Sequence, residues 1–164
     1  MLIEQTLGNV LTRAAAEPID WLDLSWSDCL QRAVRRQTRG GVMVRVLLPL
    51  GESLKHGDIL IHGIPGESET IAVNVLPCPV LVATPRTPRQ WAELCYELGN
   101  LHAPVQIDSD RLITLCDGPV EAALHRLEIP VSMQTLRFEP FVSTTGQVAI
   151  SDAFALNRRA ATGQ

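Results

Sequence analysis

Apolar and polar residues alternate through Trp21-Leu22-Asp23-Leu24-Ser25-Trp26, which places Leu22, Leu24 and Trp26 on one face. A period of two marks a strand with one buried side. Arg32 to Thr38 has no helical stripe, Arg39-Gly40-Gly41 is a turn signal, and Val42 to Leu48 is strand-like again. Together they predict a hairpin. Pro49 and Gly51 stop that strand, His56-Gly57-Asp58 is another turn, and Thr70 to Leu76 is a further β-branched run. Short strands with turns this close together predict a small antiparallel sandwich or barrel.

The pattern changes at Pro77-Cys78-Pro79. Val80 to Ala83 reads as a short buried strand. Thr87-Pro88-Arg89-Gln90 has the form of a capping box, with proline at the first helical position. Trp91, Leu94, Cys95 and Leu98 then fall at i, i+3, i+4 and i+7, one helical face that buries Cys95, and Gly99 is a plausible stop. Pro104 to Ile107 and Arg111 to Leu115 are strands joined by Asp108-Ser109-Asp110. Asp117-Gly118-Pro119 opens a second helix with Val120, Ala123, Leu124 and Leu127 inward, and Val131 to Phe138 is a last strand. The order βαββαβ is the ferredoxin-like unit. The fold class is therefore α+β, in three parts. Residues 1–76 form an N-terminal antiparallel β domain for partner or peptide binding, 77–141 a ferredoxin-like domain, and 142–164 a mobile tail. Within that tail, Ser151 to Arg159 has the length of a helical turn or two.

Composition narrows the function classes. The chain of 164 residues is 46 % hydrophobic but only 4 % aromatic, so its core is mostly aliphatic. A net charge of −4 argues against nucleic acid as partner, because phosphates need a basic face. No apolar run reaches a membrane span of about 20 residues. Met1 to Gln5 does not read as an export leader. The four cysteines show no CxxC spacing and read as cytosolic thiols, so a cytoplasmic protein without a membrane partner is expected.

No nucleophile–base pattern, phosphate loop or dinucleotide motif appears, so a non-enzyme is expected. The histidines are His56, His62, His102 and His125, without metal-ligand spacing. His56 and His62 fall in loops or turns and His125 on the polar side of the second helix, all solvated. His102 lies just past a helix stop and just before Pro104. Two readings stand open there: an imidazole packed beside the helix end, or a ligand for a borderline metal such as Ni2+ or Zn2+. A single histidine holds a metal weakly, but a two-fold axis would double it. Cys116 and Asp117, at a strand end before a helix, read either as a thiol with an N-cap or as further metal ligands. Arg32, Arg35, Arg36 and Arg39 form a solvated basic face, or a docking face for an acidic partner.

Three blocks carry a resemblance. Tyr96-Glu97-Leu98-Gly99-Asn100-Leu101-His102-Ala103-Pro104-Val105-Gln106-Ile107 resembles the YxLGNRHxPxQI signature of the urease accessory UreE family. Leu48-Pro49-Leu50-Gly51, followed by Leu54-Lys55-His56-Gly57-Asp58-Ile59-Leu60, resembles that family's LPRG…LxxGDxL segment, and Phe138-Glu139-Pro140 its FEP. The resemblance implies a homodimer that binds Ni2+ through His102 of both chains at the dimer interface. It implies delivery of that ion to apo-urease, together with the accessory GTPase UreG. Zn2+ and Cu2+ would also bind in vitro. A metal-independent interaction module of the same maturation complex is the alternative. Three departures qualify the resemblance. Leu101 replaces the signature arginine, Thr114 to Gly118 lacks the extra histidines of some members, and Phe141 to Gln164 lacks their histidine-rich tail.

Overall fold

The computed structural model describes residues 2–12, 18–63 and 69–141. The residues expected to form a mobile tail with a short helix, 142–164, lie outside the described residues. The chain divides into two compact units, Met1–Pro77 and Cys78–Gln164.

The first unit contains β1 (Leu2–Ile3), β2 (Ile19–Leu24), α1 (Trp26–Cys29), β3 (Ala33–Gln37), β4 (Met43–Leu47), β5 (Ile59–Ile61) and β6 (Thr70–Val75). They make two three-stranded sheets, ordered β1-β4-β3 and β2-β6-β5. The alternation that predicted β2 is met: Leu22 and Leu24 are buried, and they join Val34, Val44, Val46, Val73 and Val75 in one aliphatic core. The expected hairpin is β3–β4, antiparallel from Ala33↔Leu47 to Gln37↔Met43. The β domain is nevertheless mixed rather than wholly antiparallel. β1 pairs with β4, and β2 with β6, in parallel. Parallel partners need long crossovers, so no turn signal between them announces the pairing.

Trp26 belongs to α1, not to the alternating strand. Ser25 caps that helix: its Oγ accepts from the Asp28 amide at 3.1 Å, and Asp28 Oδ2 accepts from the Ser25 amide at 3.2 Å. This is a reciprocal capping box, worth about 1 kcal/mol per cap.

The second unit contains β7 (Pro77–Ala83), α2 (Pro88–Asn100), β8 (Val105–Asp108), β9 (Arg111–Leu115), α3 (Gly118–Arg126) and β10 (Val131–Arg137). The sheet order is β10-β7-β9-β8, with β9 antiparallel to both neighbours. That is the split βαβ arrangement read from the element order. Register partners share a face, so Leu81, Ala83, Leu112 and Val105 look toward the helices. There they meet Leu94 and Leu98 of α2 and Val120 and Leu124 of α3.

The opposite face carries Val80, Val82 and Ile113, opposite Gln106. After β10 the chain returns to the far edge of the sheet. The Glu139 amide donates to Gln106 Oε1 at 2.8 Å, and the Phe141 amide to the Val105 carbonyl at 2.6 Å. Phe138-Glu139-Pro140 is therefore a strap over the helix-free face. Phe138 anchors it, with none of its surface exposed.

Candidate metal-binding site

α2 begins as expected, with Thr87 Oγ1 accepting from the Gln90 amide at 3.1 Å. The Gln90 side chain reaches back one residue further than the usual box, to the Arg86 amide at 2.8 Å. On the apolar stripe Leu94 and Leu98 are buried, but Cys95 is exposed, which corrects its placement in the core. The helix buries a face centred on Leu94 and Leu98, with partly buried Trp91 and Leu101 on its two flanks, and Cys95 falls beyond Trp91 at the rim.

The helix does not stop at Gly99. It runs to Asn100 with Leu101 as C-cap, and the left-handed residue beyond is His102, at φ 51°. The His102 amide donates to the Gly99 carbonyl at 3.1 Å and the Ala103 amide to the Leu98 carbonyl at 3.0 Å. These two bonds, with Ala103 packed on the core beside Leu98, form a Schellman motif. Glycine is the usual residue at that position because a Cβ strains it. Here the position holds an exposed imidazole. Leu101, which stands where the signature has arginine, is partly buried against the core.

Val105 pairs with Thr114, and Thr114 Oγ1 donates to the Pro104 carbonyl at 3.0 Å. These contacts put the His102 loop at the same end of the sheet as Cys116 and Asp117. Val80 pairs with Leu115, so Cys78 comes to that end too. Sequence reading missed Cys78. Its signal was the register of β7 on β9, which no local pattern contains. Burial first, and the neighbouring Cys116 second, push the Cys78 thiol up. Burial and then Glu121 raise Cys116. Both therefore rest as thiols, against the idea that the helix start would favour a Cys116 thiolate. Asp117 occupies the N-cap position of α3 but makes no side-chain cap bond. Although these residues share one end of the sheet, no group of three or more metal-ligating side chains is assembled among the described residues.

The remaining candidates separate. His56 is not free in solvent: it stacks on Trp21, with ring centroids 5.9 Å apart and planes 3° from parallel. Its Nδ1 accepts from the Val75 amide at 3.4 Å. His62 and His125 are exposed. Of the basic cluster, Arg36 pairs with Asp28 at 3.0 Å and Arg39 with Asp23 at 2.8 Å. Arg32 Nε donates to the Leu48 carbonyl at 3.3 Å. Arg32, Arg36 and Arg39 are thus bonded within the first unit, while the Arg36 and Arg39 side chains stay about half exposed.

The fold and this end of its sheet define a class: a two-unit α+β protein whose ferredoxin-like half displays a histidine on a helix cap. Family models place it more narrowly. Residues 3–75 match the N-terminal domain of the UreE urease accessory protein, and residues 78–153 its C-terminal domain. Similar proteins named urease accessory protein UreE occur in several bacteria. That of Acetivibrio thermocellus is 30 % identical over 125 residues, covering 76 % of this chain and 80 % of the relative. That of Halalkalibacterium halodurans is 28 % identical over 142 residues, 86 % of this chain and 93 % of the relative. That of Haemophilus influenzae is 34 % identical over 125 residues, 73 % of this chain and 66 % of the relative. The chain belongs to the UreE urease accessory protein family, whose members are chaperones of urease maturation rather than enzymes. No helix among the described residues is long and apolar enough to cross a membrane.

Proposed function

We propose that this chain carries Ni2+ on His102, shared with the same residue of a second copy in a homodimer, and delivers it to apo-urease. The accessory GTPase UreG would act with it, in the cytoplasm. The observation that carries the reading is the cap itself. A histidine occupies a left-handed position where glycine is the default, and its side chain is exposed. A neutral imidazole is a good ligand for Ni2+, and also for Zn2+ and Cu2+ in vitro. One imidazole is too few, so the ion needs a second chain. Exposed Ile107 of β8, and Phe141 bonded to Val105 of the same strand, lie on the strand that His102 leads into and give a second copy apolar surface to cover. Cys116 and Asp117 stand at the same end of the sheet as reserve ligands, and Cys78 joins them.

Equilibrium dialysis tests the reading. The wild type is expected to hold one Ni2+ per two chains and His102→Ala to lose it. Unchanged nickel binding in the variant would sink the proposal. The second reading is a metal-independent interaction module of the same maturation complex. Under that reading, assembly with the purified apo-urease complex is equally strong with chelator present and with His102→Ala.

A further inference from the structure

The two edges of the second unit's sheet are treated differently. The β8 edge is bonded by the chain itself through the Phe141 amide. The β10 edge, 7 residues long, is left open among the described residues: β10 ends the sheet order, and Val131 to Thr135 are exposed. It contains no proline, and its only charge is the terminal Arg137. Long open edges invite strand addition, and proteins ordinarily blunt them with prolines, inward charges or covering loops.

Beside this edge lies an open groove of ≈ 640 Å³. Leu81, Ile129, Val131 and Met133 form its apolar floor, and Glu121, His125 and Glu128 stand around it. Val131 and Met133 belong at once to the groove and to the open strand. Neither glutamate is in an ion pair among the described residues. Glu128 is doubly disfavoured where it stands. Its φ is 53°, on a cap with the same two bonds as that of His102: its amide to the His125 carbonyl and the Ile129 amide to the Leu124 carbonyl. It also puts a negative charge at the negative end of α3.

We propose that β10 is a docking edge for an extended segment of a partner protein that carries apolar residues and a lysine or arginine at every second position, on one face. The segment adds beside β10 as a further strand, through backbone hydrogen bonds. It seats apolar side chains on the groove floor and a lysine or arginine against Glu121 and Glu128. Charge selects this occupant over a second copy, because Arg137, the one basic residue of β10, already has an interaction within its own chain. The inference stands apart from the nickel reading and needs no metal.

The test uses the full chain in chelator and a fluorescein-labelled peptide with valines and lysine at alternate positions and threonines between them, matched to the 7 residues of β10. Expected are saturable anisotropy and slowed amide exchange across Val131–Leu136. Binding should weaken about tenfold in Glu121→Gln/Glu128→Gly, and equally for a peptide with glutamate in place of lysine. N-methylation of alternate peptide amides should abolish it. Glycine suits the left-handed backbone at 128, so the variant keeps its fold, and a melting curve checks this. No saturable binding, binding unchanged by the double variant, indifference to N-methylation, or protection confined to other strands would each overturn the proposal. So would β10 protection that grows with protein concentration without peptide, which would assign the edge to a second copy.

Discussion

Replacing His102 by glycine should make the protein more stable while depriving it of its proposed cargo. His102 sits at φ 51°, a conformation that costs an L-residue about 1–2 kcal/mol. Histidine tolerates it better than most residues, so the lower end applies. Glycine removes the strain but loses about 0.4–1 kcal/mol through its freer unfolded chain. Both cap bonds, 3.1 Å and 3.0 Å, are made by backbone amides and survive the change. The net gain lies between zero and about 0.6 kcal/mol, or up to ~2 °C in Tm for a chain of this size. His102→Ala keeps the strain and should melt within about 1 °C of the wild type, which separates backbone from imidazole.

Thermal melts in chelator and in Ni2+ read both terms. In chelator the order should be Gly above Ala, with Ala and wild type together. With nickel at about a hundredfold over its Kd, the wild type gains ~2.7 kcal/mol and overtakes both variants. Glu128→Gly is the internal control, since its cap is built alike: it should gain more stability, because it also removes a charge from the negative helix end, and keep the nickel response. A wild type more stable than His102→Gly in chelator would refute the strain argument. Equal nickel shifts in all variants would refute His102 as the ligand.

Two further outcomes follow from the first unit. Gly57→Ala should destabilise by about 1–3 kcal/mol in denaturant melts, because φ there is +82° and an added Cβ would lie 2.5 Å from Asn9 Oδ1. That side chain cannot retreat freely, since Asn9 Nδ2 donates to the His56 carbonyl at 2.7 Å; wild-type stability in Gly57→Ala would show the turn to be soft. The Arg39 side chain, by hydrogen bonding, holds the Asp23 carboxyl below the usual aspartate range. A depressed carboxylate stabilises the fold above its unfolded pKa and loses that contribution as pH falls through the folded one. Asp23→Asn should therefore lower Tm at neutral pH and converge on the wild type in acid, once pH falls through the depressed pKa of the folded carboxyl. A difference that persists there would assign the effect to packing.

What local patterning determines was legible. Period-two runs gave β2 and the β3–β4 hairpin, and period-three-to-four stripes gave α2 and α3, because each element's buried face is written in its own residues. Pairing between distant segments was not. The parallel β1–β4 and β2–β6 ladders, and the arrival of Cys78 beside Cys116, depend on register set by the whole unit. α1 was overlooked although Ser25-Trp26-Ser27-Asp28 carries a cap signal, since Trp26, in step with Leu22 and Leu24, mimics a strand residue. The motif residues became intelligible only in three dimensions. Gly57-Asp58 is a turn pressed against Asn9, and Phe138-Glu139-Pro140 is a strap across a sheet. For His102, Gly99 drew attention as the helix stop, whereas the strained residue was the histidine itself.

The two caps of the second unit lead to one electrostatic conclusion. α2 and α3 both end in Schellman motifs, and in each the left-handed residue is not glycine but a side chain that can meet a cation. A helix C-terminus carries about half a negative charge, worth about 0.3–1 kcal/mol to a nearby cation. Under the proposed function, His102 would offer a metal ion a lone pair on a negative background. Leu101, where the signature has arginine, adds no positive charge beside it. Glu128 gains nothing from α3 unless a positive group arrives to offset both its strain and its charge. Each half of the ferredoxin-like repeat thus keeps, at the same structural position, a residue that folding alone would replace by glycine. Strain retained twice at equivalent points, toward ligands of the same sign, argues for two cation-receiving sites in one small unit: an ion at the first and a basic side chain at the second.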